Sequence, residues 1–144
     1  MRKVMAFGTF DLLHPGHLKY LSEAKKLGDY LIAVVTTDKN ARRLKNKSTV
    51  HSQKERALMV GALKPVDKAI VGLEKDFYFL VKKFRPQVLA LGYDQSEPVE
   101  KVQAELAKRK IRAQIAVIKP FKESRYKGKK IRERLQKTPQ KLVF

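Results

Sequence analysis

The sequence predicts an α/β fold, a Rossmann-like doubly wound five-stranded parallel sheet of strand order 3-2-1-4-5. Three observations predict it. Short apolar runs alternate along the chain with stretches whose apolar residues recur at helical spacing. The runs are nearly continuous rather than alternating, as expected of parallel strands covered on both faces. The first run passes through a Gly-containing turn straight into a helical stretch, which is how a strand–helix–strand crossover begins.

In chain order, Lys3 to Phe7 reads as a buried central strand. Leu18, Leu21, Ala24 and Leu27 form the apolar face of a helix that Gly28 stops. Tyr30 to Thr36 is the second strand, and Asp38 to Leu44 a short helix capped by Thr37 or Asp38. A polar loop over Lys45 to Thr49 follows. Ser52 to Glu55 has capping-box spacing and opens a helix with Leu58, Met59 and Leu63. Lys68 to Val71 is the third strand. Asp76 to Phe84 is a helix with Phe77, Leu80, Val81 and Phe84 on its apolar face, blocked by Pro86. Gln87 to Leu91 is the fourth strand, Val99 to Lys108 a helix with Val102, Leu106 and Ala107 inward, and Ala113 to Ile118 the fifth strand. A last short helix is expected over Ile131 to Leu135.

With 144 residues and no linker-like stretch, the chain is expected to form a single domain, 1–144, carrying a basic C-terminal segment, 119–144. An apolar content of 43% supports a real core and argues against disorder. No run approaches a membrane span and the N-terminus has no signal-peptide pattern, so a cytoplasmic protein without a membrane partner is expected. The absence of cysteine excludes disulfides and thiolate metal sites. The net charge of +19 attracts polyanions, and the segment 119–144 carries +8 of it, ten basic against two acidic residues. Oligomeric state is left open, a homodimer included.

The chemistry concentrates at Phe7-Gly8-Thr9-Phe10-Asp11-Leu12-Leu13-His14-Pro15-Gly16-His17. A strand, a Gly-containing turn and a helix N-terminus bring backbone N–H groups and the positive end of a helix dipole together, which suits phosphate. His14 and His17 add imidazole donors there, while Gly8 and Gly16 allow phosphates to come close. Asp11 is expected to be a buried turn carboxylate bonding nearby backbone N–H groups, with a catalytic role as the alternative. In the predicted topology the turn after the fourth strand, with Asp94, faces the turn holding His14 and His17 across the reversal in winding. Asp94 is read as a ligand contact, with an Asx-type turn as the alternative. Lys45 and Lys47 either close over a triphosphate or sit in a solvated loop. Arg56 either aims at a phosphate or forms a surface ion pair. Ser124, Arg125 and Lys129 are candidate phosphate contacts on the basic tail, with plain solvation as the alternative.

Gly8 to His17 resembles the signature of the cytidylyltransferase-like nucleotidyltransferases, with its HxGH motif. Leu91-Gly92-Tyr93-Asp94-Gln95 and the chain length resemble the archaeal-type FAD synthases within that superfamily. The likeness covers residues 1 to about 118. It implies transfer of AMP from ATP to FMN, giving FAD and pyrophosphate, assisted by Mg²⁺ or a similar divalent ion. It implies that the adenosine phosphates lie against Gly8, Thr9, Phe10, His14, Pro15, Gly16 and His17, with Asp94 serving the ribose or base. His14 and His17 are the expected catalytic pair. The metal would be held by ATP phosphates and water, not by a protein cage, since no second cluster accompanies Asp11. Where the superfamily has a Ser/Thr-rich phosphate motif, this chain has Lys122 to Ile131, so only Ser124 or the pair Gly128-Lys129 stands in for it. An apolar slot near Phe10, Phe121 or Tyr126 able to stack a flavin ring would favour FMN as the acceptor.

Two rivals remain at this level. A cytidylyltransferase using CTP and glycerol 3-phosphate, or a similar phosphoalcohol, shares the early motif, which reads phosphates and not the base. A basic nucleic-acid-binding module would exploit the charge but leaves the HxGH turn unexplained.

Overall fold

The computed structural model describes residues 1–46, 48–93 and 97–119 and, of Lys45, the backbone alone. Its elements are β1 (Lys3–Gly8), α1 (Pro15–Lys25), β2 (Tyr30–Val35), α2 (Asp38–Lys45), α3 (Gln53–Gly61), β3 (Lys68–Val71), α4 (Phe77–Phe84), β4 (Val88–Gly92), α5 (Val99–Lys108) and β5 (Gln114–Ile118). The five strands form one parallel sheet in the order β3-β2-β1-β4-β5, as the sequence predicts. The helix expected over Ile131 to Leu135 lies outside the described residues. Among the described residues no helix is long and apolar enough to cross a membrane.

Side chains of successive strand residues point to opposite faces, so a strand covered on both sides must be apolar throughout. Val4, Ala6, Leu31, Ala33, Val35, Val88 and Ala90 pack on one face against Leu21 and Ala24 of α1 and Val60 of α3. Met5, Ile32, Val34, Leu89 and Leu91 pack on the other against Leu80 and Val81 of α4 and Val102 and Leu106 of α5. Two helical layers thus sandwich the sheet.

Three local expectations change. In α3 the buried residues are Arg56 and Val60, while Leu58 is 76% exposed, so the helix is turned away from the face Leu58 suggested. The capping box itself is present, with Glu55 N–H on Ser52 Oγ and Ser52 N–H on Glu55 Oε1. Ala107 of α5 is exposed rather than inward. Gly28 does not stop α1 through a left-handed conformation, since no glycine among the described residues has positive φ. It is there because the α1–β2 turn runs against the first residues of the chain. A Cβ at Gly28 would stand 2.5 Å from the Arg2 carbonyl oxygen and 2.8 Å from a Val4 methyl.

Candidate active site

β1 ends at Gly8, and the chain turns back beneath its own end. Phe10 takes the left-handed conformation (φ 54) that a bulky residue rarely adopts, and its ring is buried at 2% exposure. A Cβ on Gly8 would meet that ring at 2.7 Å. Gly8 therefore makes room for Phe10, where the sequence suggested room for phosphate. Phe10 in turn meets His17 edge-on at 5.5 Å between ring centres and stacks over Tyr20 at 6.4 Å. A flavin cannot stack on a ring so covered; Phe10 is the floor on which His17 stands. Gly8→Ala is expected to cost about 1–3 kcal/mol through overpacking, with lower turnover as Phe10 shifts under His17. Urea unfolding and initial rates on the same preparation check both effects.

α1 starts with an unusual cap. His14 is its N-cap residue, and its Nδ1 accepts the Gly16 N–H at 3.0 Å. The acceptor role leaves the proton of the neutral ring on Nε2. Burial pushes the His14 pKa below its ordinary value, which keeps the ring neutral at pH 7. The His14 and His17 rings stack at 3.8 Å between centres, tilted by 27°. Nδ1 of His17 is turned into the protein, which leaves Nε2 as the outward ring nitrogen.

The helix end itself offers less than expected. Gly16 N–H is given to His14 Nδ1, and the His17 and Leu18 N–H groups are given to the His14 carbonyl at 3.0 and 3.3 Å. Pro15 has none. What the first turn of α1 still offers is its dipole, beside the two imidazoles.

Because the folded-state pKa of His14 is lowered, its protonation opposes the fold. Its contribution to stability is present in full above the ordinary histidine value, about 6.5, and is lost as pH falls below it. An NMR titration of the His14 ring is expected to give a midpoint under about 6.5. A midpoint above that value would mean a cationic ring and a broken cap.

Two latches hold the surrounding loops. The Asp11 carboxylate accepts the Val50 and His51 N–H groups, each at 2.9 Å, as a turn carboxylate was expected to do, though from distant residues. The Arg56 guanidinium is fully buried. It donates to the carbonyls of Thr9 at 2.8 Å, Thr36 at 2.7 Å and His51 at 3.1 Å, and to Asp38 Oδ1 at 2.7 Å. The phosphate contact and the surface ion pair suggested for Arg56 both give way to this role: it pins the turns after β1 and β2 to the start of α3. Its hydrogen bond holds the Asp38 carboxyl below the usual aspartate range.

Of the other candidates, Lys47, Asp94, Ser124, Arg125 and Lys129 lie outside the described residues, as do the side chain of Lys45 and the rings of Phe121 and Tyr126. Tyr20 was missed by the sequence reading. The signal was its place three residues after His17, on the face shared with Leu21 and Ala24. No three His, Asp or Glu among the described residues converge as a metal cage.

Residues 5–134 match the model of a family described as cytidylyltransferase-like. The chain belongs to this family. It is 46% identical over 119 residues to the FAD synthase of Ferroglobus placidus, covering 83% of this chain and 77% of that one. It is 44% identical over 126 residues to the FAD synthase of Archaeoglobus profundus, covering 88% and 80% respectively. Among solved structures, the lipopolysaccharide core biosynthesis protein from Thermoplasma volcanium superposes with a TM-score of 0.81 at 40% identity, covering 84% of this chain and 98% of that one.

Proposed function

We infer that this protein is an FMN adenylyltransferase, transferring AMP from ATP to FMN and releasing FAD and pyrophosphate. The observation that carries the reading is the kinship with FAD synthases over most of the chain, joined to an imidazole pair at the reversal in winding. ATP enters as its Mg²⁺ chelate, or that of a similar divalent ion, which asks for no cluster of protein ligands.

A phosphate oxygen of FMN attacks the α-phosphorus of ATP in line with the departing pyrophosphate. That oxygen is already ionised near neutral pH, so positioning and charge stabilisation matter more than a general base. His14 and His17, stacked, donate from Nε2 to oxygens of the α-phosphate and of the leaving group. Donors aimed at charge that grows in the transition state stabilise it more than the ground state. The stacking fixes the spacing of the two donors, and the cap bond from Gly16 fixes the tautomer of His14. Thr9 and Phe10 line the site with backbone, Pro15 and Gly16 with the dipole of α1. We assign Asp94 to the ribose or base, and Lys45, Lys47, Ser124, Arg125 and Lys129 to the triphosphate.

The test is direct. Purified protein is given FMN and ATP with Mg²⁺, and separately CTP with glycerol 3-phosphate, and FAD and pyrophosphate are measured. FAD formed with one equivalent of pyrophosphate is the expected result. Turnover of the CTP pair with no FAD would overturn it.

A further inference from the structure

β1 and β4 are the neighbours between which the winding reverses, and they part early. Their register runs Val4 with Val88, Met5 with Leu89 and Ala6 with Ala90, and goes no further. Yet β1 stays paired with β2 as far as Gly8, and β4 with β5 as far as Gly92. Both strands are therefore ordered beyond the parting. Only the seam between them opens, at their carboxyl ends, where ligands of such sheets lie.

The atom at that opening is Tyr20 Oη. It accepts the Phe7 N–H at 3.1 Å and donates to the Ala90 carbonyl at 2.6 Å. Phe7 follows the last residue of β1 paired with β4, and Ala90 is the last residue of β4 in that pairing. Strands that separate inside a protein leave a buried donor on one side and a buried acceptor on the other, each costly if unmet. One hydroxyl meets both here. The Tyr20 ring also lies under Phe10, which supports His17, which stacks on His14. The group that ends the seam thus belongs to one row of ring contacts with the imidazole pair.

We propose that Tyr20 is a positioning residue, whose hydroxyl ends the β1–β4 ladder and holds the nucleotide crevice open at a set width beside His14 and His17. The proposal rests on the nucleotidyl-transfer reading. It goes beyond it by assigning the crevice width to one hydroxyl of α1. Without the hydroxyl, Phe7 N–H and Ala90 C=O turn to each other, and the ladder extends into space the nucleoside needs. Binding suffers before the chemistry does.

Tyr20→Phe keeps the ring and its stack on Phe10 while deleting the hydroxyl. Wild type and variant are titrated with ATP and with CTP, without flavin, and then assayed for FAD formation. The expected result is a Kd and KM for the bound nucleotide raised roughly tenfold, with kcat within about threefold. A merely structural role would lower kcat by removing active molecules and leave KM alone. An unchanged Kd would overturn the proposal whatever the acceptor. Wild type that binds ATP but makes no FAD sinks the FMN reading and leaves the Tyr20 inference standing on the titration. Should the variant not fold, a crystal of wild type with a non-hydrolysable ATP analogue decides. A nucleoside between the ends of β1 and β4, with the hydroxyl still bridging Phe7 and Ala90, supports the proposal; a nucleoside bound elsewhere, or a hydroxyl withdrawn from either strand, overturns it.

Discussion

His17→Ala is expected to lower kcat by roughly 10²–10³-fold while weakening ATP binding only modestly. The asymmetry follows from where the donor acts. Charge on the bridging oxygen and the leaving pyrophosphate grows only as the α-phosphorus changes partners, so a lost imidazole is felt most in the transition state. His17 is the cleaner target of the pair. His14 also caps α1, so its removal mixes chemistry with the loss of a helix cap, which costs about 1 kcal/mol. Single-turnover rates with saturating ATP and FMN, set beside an ATP titration, separate the two contributions. A variant with near wild-type kcat would remove His17 from the catalytic assignment.

Arg56→Ala is expected to cost about 3–5 kcal/mol of stability, the largest single loss in this region. The ion pair with Asp38 is a minor part of it, because the Asp38 side chain is 47% exposed and solvent screens it. The loss comes from the carbonyls of Thr9, Thr36 and His51, three acceptors that one buried fork satisfies together. Arg56→Lys recovers only part, since an ammonium cannot reproduce the planar spread of donors. Urea unfolding measures both variants, and a loss under about 1 kcal/mol for Arg56→Ala would show that water replaces the guanidinium. The acid limb offers a second check. Asp38 has a lowered pKa in the fold, so its stabilising contribution is full above the ordinary aspartate value, about 3.9, and fades as pH falls through the lowered one. That fading should be weaker in Arg56→Ala, where the main cause of the shift is gone.

The amino-acid sequence by itself determined the strand order, the alternation of elements and the placing of His14 and His17 at the reversal in winding. Continuous apolar runs report a sheet covered on both faces, and helical spacing reports an amphipathic partner; both are local patterns. Only the tertiary structure decided what several polar and small residues around the site do. Arg56 reads as a phosphate contact or a surface ion pair until three carbonyls close around it, one of them 47 residues away. Gly8 reads as a phosphate glycine until the Phe10 ring folds under it. The amides of α1 read as open donors until the His14 ring and carbonyl take them. Tyr20 reads as an ordinary helix residue until its hydroxyl meets a carbonyl 70 residues on. The reason is physical. Hydrophobic burial is non-directional, so the composition of a segment foretells it, whereas a hydrogen bond needs one partner at one distance, and the fold alone supplies that partner.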